Sequence, residues 1–185
     1  MDEGKYRVCP VELAGSLDNR FRRWFQNPQK ILGPYVKEGM TVLDLGCGPG
    51  FFTVEIARMV GESGRVIASD LQEGMLQKLK GKIAGTELEK RIILHRCQKD
   101  RIAVSEVVDF VLAFYMVHEV QNQEAFFKEI GSLLHPLGQV LVVEPPFHVS
   151  KTAFEETLRI AQSAGFTLVE CPKIPLSKAV ILRKG

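Results

Sequence analysis

Val42-Leu43-Asp44-Leu45-Gly46-Cys47-Gly48-Pro49-Gly50-Phe51-Phe52 decides the fold. An apolar strand runs into three alternate glycines, and a helical stripe of Phe52, Ile56 and Met59/Val60 follows at once. Glycine permits positive φ and lets backbone approach a ligand with no Cβ in the way. The N–H groups that open the next helix lack partners and carry partial positive charge, which suits an anionic group. A tight strand–helix turn without any ligand would have the same spacing. Two acids argue against that plain reading. Asp44 stands where a purely structural strand would hold Val or Ile, and Asp70 ends the next strand pattern, 20 residues past Gly50. An acid at that tip can accept hydrogen bonds from both hydroxyls of a ribose, and it can also cap the helix pattern over 72–83. The spacing G-x-G-x-G before Phe51-Phe52 departs from the G-x-G-x-x-G of nicotinamide and flavin binders, and no Gly-Lys-Ser/Thr follows to make a P-loop.

Outward from this loop, β-branched runs alternate with helical patterns, which predicts a mostly parallel α/β sheet. The strands are expected at Thr41–Leu45, Arg65–Ser69, Ile92–Arg96, Asp109–Phe114, Gln139–Val143, Thr167–Cys171 and Ala179–Leu182. Further helical stripes are Met75/Leu76, Leu79 and Ile83; then Phe126/Phe127, Ile130 and Leu133/Leu134; then Phe154, Leu158 and Ala161. The link 172–177 is too short for a crossover helix, so the last two strands are expected to be antiparallel, giving six parallel strands and one reversed. Residues 1–40 carry no strand signal. Leu17, Phe21 and Trp24/Phe25 share helical spacing, and Pro28 opens a short helix closed by Gly33-Pro34. The 185 residues, 45% hydrophobic, therefore read as one domain: a helical lid over 1–40 and a seven-strand core over 41–185.

Lys plus Arg number 24 against 22 Asp plus Glu, a net charge of +2 that gives no general electrostatic case for a nucleic-acid or membrane binder. Eight basic residues against three acids between Lys78 and Arg101 could form an RNA-facing patch, but no aromatic residues interleave there for base stacking. The longest uninterrupted apolar run, Phe110 to Val117, is too short to span a bilayer. The acidic start Met1-Asp2-Glu3 lacks a signal-peptide core, so a cytoplasmic protein is expected. Cys9, Cys47, Cys97 and Cys171 lack zinc or C-x-x-C spacing; they read as small apolar residues rather than metalloid-binding thiolates, and no metal is expected.

Asp44-Leu45-Gly46-Cys47-Gly48-Pro49-Gly50 resembles the first motif of the class I S-adenosylmethionine-dependent methyltransferases, and the likeness runs from about Pro28 to the end. Within that family the chain is similar to the small methyltransferases of the ubiquinone/menaquinone-biosynthesis type. Leu134-His135-Pro136-Leu137-Gly138-Gln139 resembles the family's Leu-Lys-Pro-Gly-Gly turn, with Leu137 in place of the first glycine. The resemblance implies a Rossmann-like three-layer αβα sandwich, a seven-stranded, mostly parallel sheet with one antiparallel strand near the C-terminus. It implies S-adenosyl-L-methionine as cofactor, held by Asp44, Gly46, Cys47, Gly48 and Gly50, with Asp70 on the ribose and Leu71 on the adenine. Ala113, near the end of the fourth strand, would border the methyl group. Cys97 and Gln98 fall where the adenine edge lies in the family, with Asp100 as the competing candidate.

Methyl transfer from a sulfonium needs alignment and exclusion of water, and a general base where the acceptor must lose a proton. The segment after the fourth strand, Phe114-Tyr115-Met116-Val117-His118-Glu119, offers Tyr115 to shape the pocket or bond the acceptor and His118 as that base. His118 could equally cap or pack the next helix. His118-Glu119 is no zinc motif, because Asn122 stands where a second His would be needed. Glu144-Pro145-Pro146-Phe147-His148 is similar to the Asn/Asp-Pro-Pro-Tyr/Phe motif of amino-methylating nucleic-acid enzymes, but it follows the fifth strand rather than the fourth. It reads as a rim loop with His148 as a substrate contact. A small-molecule methyl acceptor is the leading expectation. The alternatives are an RNA or protein methyltransferase and a non-catalytic S-adenosylmethionine-binding protein.

Overall fold

A computed structural model describes residues 26–185; Cys9, Leu17, Phe21, Trp24 and Phe25, and with them most of the expected lid, lie outside the described residues. The chain divides between Cys97 and Gln98 into two compact units. In the first, α1 (Pro28–Leu32), β1 (Thr41–Leu45), α2 (Thr53–Met59), β2 (Arg65–Asp70), α3 (Glu73–Ile83) and β3 (Ile92–Arg96) follow in order. Asn27 caps α1, its side chain accepting the Lys30 N–H at 3.2 Å, and Pro28 fits the first turn because no partner for its missing N–H exists there.

The strands of this unit lie in the order β3-β2-β1, all parallel, with Leu43 beside Ile67 and Ile67 beside Ile93. Parallel neighbours need crossovers, which α2 and α3 supply. Val42, Leu43, Asp44 and Leu45 are all buried, so β1 has both faces covered and reads as a run rather than an alternation. Met75, Leu76, Leu79 and Ile83 form the buried face of α3, at the spacing the stripe predicts.

In the second unit β4 (Val108–Phe114) leads through a short 3-10 turn at Val117–Glu119 to α4 (Gln123–Leu133), β5 (Leu134–Glu144), α5 (Lys151–Ser163), β6 (Phe166–Glu170) and β7 (Lys178–Lys184). The order is β4-β5-β7-β6; β4 and β5 are parallel, and β7 is antiparallel to both of its neighbours. The fold class is as the sequence indicates: a Rossmann-like, seven-stranded and mostly parallel sheet flanked by helices. Among the described residues no helix is long and apolar enough to cross a membrane.

Two local departures have physical causes. The fifth strand begins at Leu134 rather than Gln139, because 135–138 bulge out of a continuing pairing: Val108 faces Leu134, and Phe110 then faces Gln139. Leu137 swings out to 77% exposure. Gly138 is needed in this bulge, since a Cβ there would lie 2.8 Å from Leu134 Cδ2 and 3.1 Å from the Asp109 carbonyl oxygen. In α5 the buried face is Phe154, Thr157 and Ala161, with Leu158 only half-buried. The Thr157 hydroxyl satisfies itself by donating to the Ala153 carbonyl at 3.2 Å.

Candidate functional site

The glycine loop is built by backbone geometry. Gly46, Gly48 and Gly50 have φ of +67°, +53° and +85°, a region that side chains other than glycine's rarely adopt. Gly50 is also closed to a side chain, because a Cβ would meet Leu79 Cδ1 of α3 at 2.4 Å. Gly48 differs: a Cβ there would meet nothing within 4 Å, so its open side faces unfilled space. The Cys47 N–H donates to the Ser69 carbonyl at 3.0 Å, tying the loop to β2. From α3, the Lys82 ammonium donates to the Pro49 carbonyl at 2.5 Å.

Asp70 stands at the mouth of this loop. Its Oδ2 accepts the Gly48 N–H at 2.9 Å, and its Oδ1 accepts the Gln72 N–H at 2.8 Å. The second bond relieves the N-terminus of α3, although Gln72 rather than Asp70 is the cap residue. A carboxylate offers about four lone-pair sites, so acceptor capacity remains for a hydroxyl donor. Burial pushes the Asp70 carboxyl above its usual value, outweighing the opposite pull of the N–H donors of Gln72, Gly48 and Leu71. Leu71 is half-buried beside it. The Cys97 N–H donates to the Asp70 carbonyl at 3.2 Å, which brings the end of β3 to the same place. Gln98 and Asp100 are exposed, and the Gln98 N–H donates to the Arg101 carbonyl at 2.9 Å in a turn of its own.

Asp44 is 2% exposed and accepts the Thr53 hydroxyl of α2 at 2.6 Å. Removing that donor withdraws a hydrogen bond from a buried carboxylate, a cost of about 1–3 kcal/mol. The Thr53→Val chain is therefore expected to unfold at lower urea with an unchanged m-value; an unaltered midpoint would mean that Asp44 does not rely on this bond. Cys47 is buried, and burial, with the charges of Asp44 and Asp70 next and a smaller effect of Cys97, pushes its thiol well above the ordinary value. A thiol so disfavoured as thiolate is a packing group and not a nucleophile. Cys171, by contrast, is exposed rather than buried. Among the described residues no group of three or more His, Cys, Asp or Glu side chains is arranged to hold a metal ion.

The second unit carries its own cluster at the ends of β4 and β5. Ala113 is fully buried beside Val142. Tyr115 has φ of +60°, an uncommon conformation for a bulky residue. Its hydroxyl lies 3.0 Å from the Leu176 carbonyl and 2.6 Å from Ser177 Oγ, and Leu176 itself has φ of +52°. Tyr115 thus fastens the β6–β7 loop.

His118 is held twice by one carboxylate. Its backbone N–H donates to Glu144 Oε1 at 3.0 Å, and its ring Nδ1 lies 2.6 Å from Glu144 Oε2. Glu144 is 1% exposed at the last position of β5, so it belongs to the strand and not to the rim loop that the sequence suggested. Because a carboxylate only accepts, Nδ1 carries the hydrogen, and Nε2, which has no hydrogen-bond partner among the described residues, keeps its lone pair. Burial pulls the imidazole pKa down, but the hydrogen bond and charge of Glu144, with the charge of Glu119, outweigh it and raise the value above 6.5. His148 stands by, its ring 6.0 Å from that of His118, and the neighbouring Phe147 is 84% exposed.

A protein-family model described as a methyltransferase domain matches residues 36–173. A demethylmenaquinone methyltransferase from Bacillus cereus is 28% identical over 125 residues, covering 68% of this chain and 52% of that relative. The chain spans about half the length of the curated relatives it matches. A crystal structure of a SAM-dependent methyltransferase from Aquifex aeolicus superposes with a TM-score of 0.87 at 26% identity, over 96% of this chain and 100% of that one. A second, from Mesorhizobium loti, shares the fold at 17% identity with a TM-score of 0.70, over 88% and 97% of the two chains.

Proposed function

The chain belongs to the methyltransferase-domain family and uses S-adenosylmethionine, and from that premise we propose that it methylates a small molecule whose acceptor atom must give up a proton. The observation that carries this reading is His118 itself, 24% exposed, with Nδ1 on a buried carboxylate and Nε2 without a hydrogen-bond partner among the described residues. A poised base has no task where the acceptor is already a free nucleophile. The small size of the acceptor is supported by the relatives named demethylmenaquinone methyltransferase. The matched region runs through both units, which favours a single methyltransferase domain.

The residues on β1, β2 and the loop fit the cofactor. Gly48 has open space beside it and Asp70 keeps acceptor capacity for a ribose hydroxyl, while half-buried Leu71 offers an apolar surface for the adenine. When bound, S-adenosylmethionine supplies a methyl group on a positively charged sulfur that departs as a neutral thioether. The task left to the protein is to hold the acceptor in line, exclude water and accept its proton.

The test has two arms. S-adenosylhomocysteine at about 100 times its Kd is expected to stabilise the protein by about 2.7 kcal/mol in thermal unfolding, and NAD to leave it unchanged. Release of S-adenosylhomocysteine is then followed with phenols, carbon acids including a naphthoquinol, thiols and amines. Turnover with a hydroxyl or carbon acceptor is the expected result. Methylation of RNA or protein with no small molecule turned over would overturn it.

A further inference from the structure

We infer that Glu144 is the positioning residue that sets the proton of His118 on Nδ1 and so makes Nε2 the proton acceptor of the reaction; the catalytic half of this inference rests on the reading of His118 as base. The geometry carries it. One carboxylate uses both oxygens on a single residue, Oε1 on the backbone N–H at 3.0 Å and Oε2 on Nδ1 at 2.6 Å. The first bond fixes where the 3-10 turn Val117–Glu119 leaves β4, and the second fixes the ring on that turn. Neither the position nor the tautomer of the imidazole is then left to chance.

Glu144 is 1% exposed, and the Glu144 side chain makes no ion pair with a Lys or Arg among the described residues. A buried carboxylate that no Lys or Arg of the described residues neutralises is costly in a fold. Glu144 ends a strand whose preceding residues Val140, Leu141, Val142 and Val143 are all fully buried, and the bonds it makes there are to His118. The charged groups around the ring are Glu144 from β5, Glu119 from the turn itself and, when protonated, His148 from the loop after β5.

In the step itself the acceptor X–H gives its proton to Nε2 while the X–C bond forms and the C–S bond breaks, its electron pair going to sulfur. The imidazolium that results is stabilised by the adjacent carboxylate charge until the proton passes to water. A group that holds the base in one tautomer and steadies its charged form contributes through His118 and touches no substrate.

Glu144→Gln separates this role from simple packing. An amide keeps the shape but offers one acceptor and one donor where two acceptors are needed, so its NH2 group donates to Nδ1 and drives the ring proton to Nε2. Long-range 15N–1H spectra, with the His118 signal identified by its loss in His118→Gln, are expected to show a neutral ring protonated on Nδ1 in the native chain and on Nε2 in Glu144→Gln. The His118 titration is expected to move to lower pH in the variant, since burial then acts with little opposing charge. S-adenosylhomocysteine affinity is expected to stay unchanged, and kcat with a turning-over acceptor to fall by about 10²–10⁴. Should the variant fail to fold, the native spectrum alone decides: a neutral His118 protonated on Nε2 overturns the inference. An unmoved tautomer and titration in a folded variant overturn it as well. If both move while kcat does not, Glu144 orients His118 but the catalytic half falls, and with it His118 as base.

Discussion

Alanine at His118 is expected to leave S-adenosylhomocysteine affinity intact and to lower kcat by about 10²–10⁴, the usual contribution of a positioned general base. The expectation follows from where the ring stands: one nitrogen is occupied by Glu144, and the other has no partner among the described residues. The pH dependence carries a sign that can be checked. The raised pKa means that Nε2 is protonated, and idle as a base, up to a pH above 6.5. The native kcat should therefore rise through an acid limb centred above that value, and His118→Ala should lose the limb together with the rate. Added imidazole should restore part of the activity in the small space left by the ring. A full kcat in His118→Ala, with the acid limb still present, would assign the proton to another group or to water.

The second large effect is expected at Asp70. Two backbone donors hold its carboxylate, Gly48 from the loop and Gln72 from the start of α3. Asp70→Asn keeps the size but turns one acceptor into a donor that faces an N–H, and it removes the charge that would receive a ribose hydroxyl. A hydrogen bond to a charged group contributes about 1.5–3 kcal/mol, so Kd for S-adenosylhomocysteine is expected to rise roughly 10–150-fold in calorimetry. Because burial raises this carboxyl, acidification should weaken cofactor binding sooner than an ordinary aspartate would allow. Equal affinity in native protein and Asp70→Asn would remove Asp70 from the cofactor site.

The glycine loop and most strands were legible because their signals are local. Thr41–Leu45 and Ile92–Arg96 are bounded by turn residues and have the ends the pattern predicts. The early start of the fifth strand was hidden, since Pro136 and Gly138 mimic a turn while the chain keeps its pairing across a bulge. The His118–Glu144 pair was hidden for a different reason. The two residues are 26 apart and meet only because β4 and β5 are parallel neighbours whose ends coincide. A signal did exist: an acid closing a wholly apolar strand, Val140 to Val143, repeats what singled out Asp44 and Asp70. The Pro145-Pro146 that follows drew the reading of Glu144 outward into the loop. Tyr115 was legible as a position, but its attachment to the loop at Leu176 and Ser177 depends on a contact across 61 residues.

The loop at 46–50 is anchored from two sides, by Asp70 on the Gly48 N–H and by Lys82 on the Pro49 carbonyl. Neither bond requires a ligand. A segment already held in its working shape has little conformational entropy left to surrender when a guest arrives, and an ordered site of this kind favours rigid docking over capture by folding. Cofactor exchange then depends on how quickly the small molecule enters and leaves rather than on how quickly the loop finds its form.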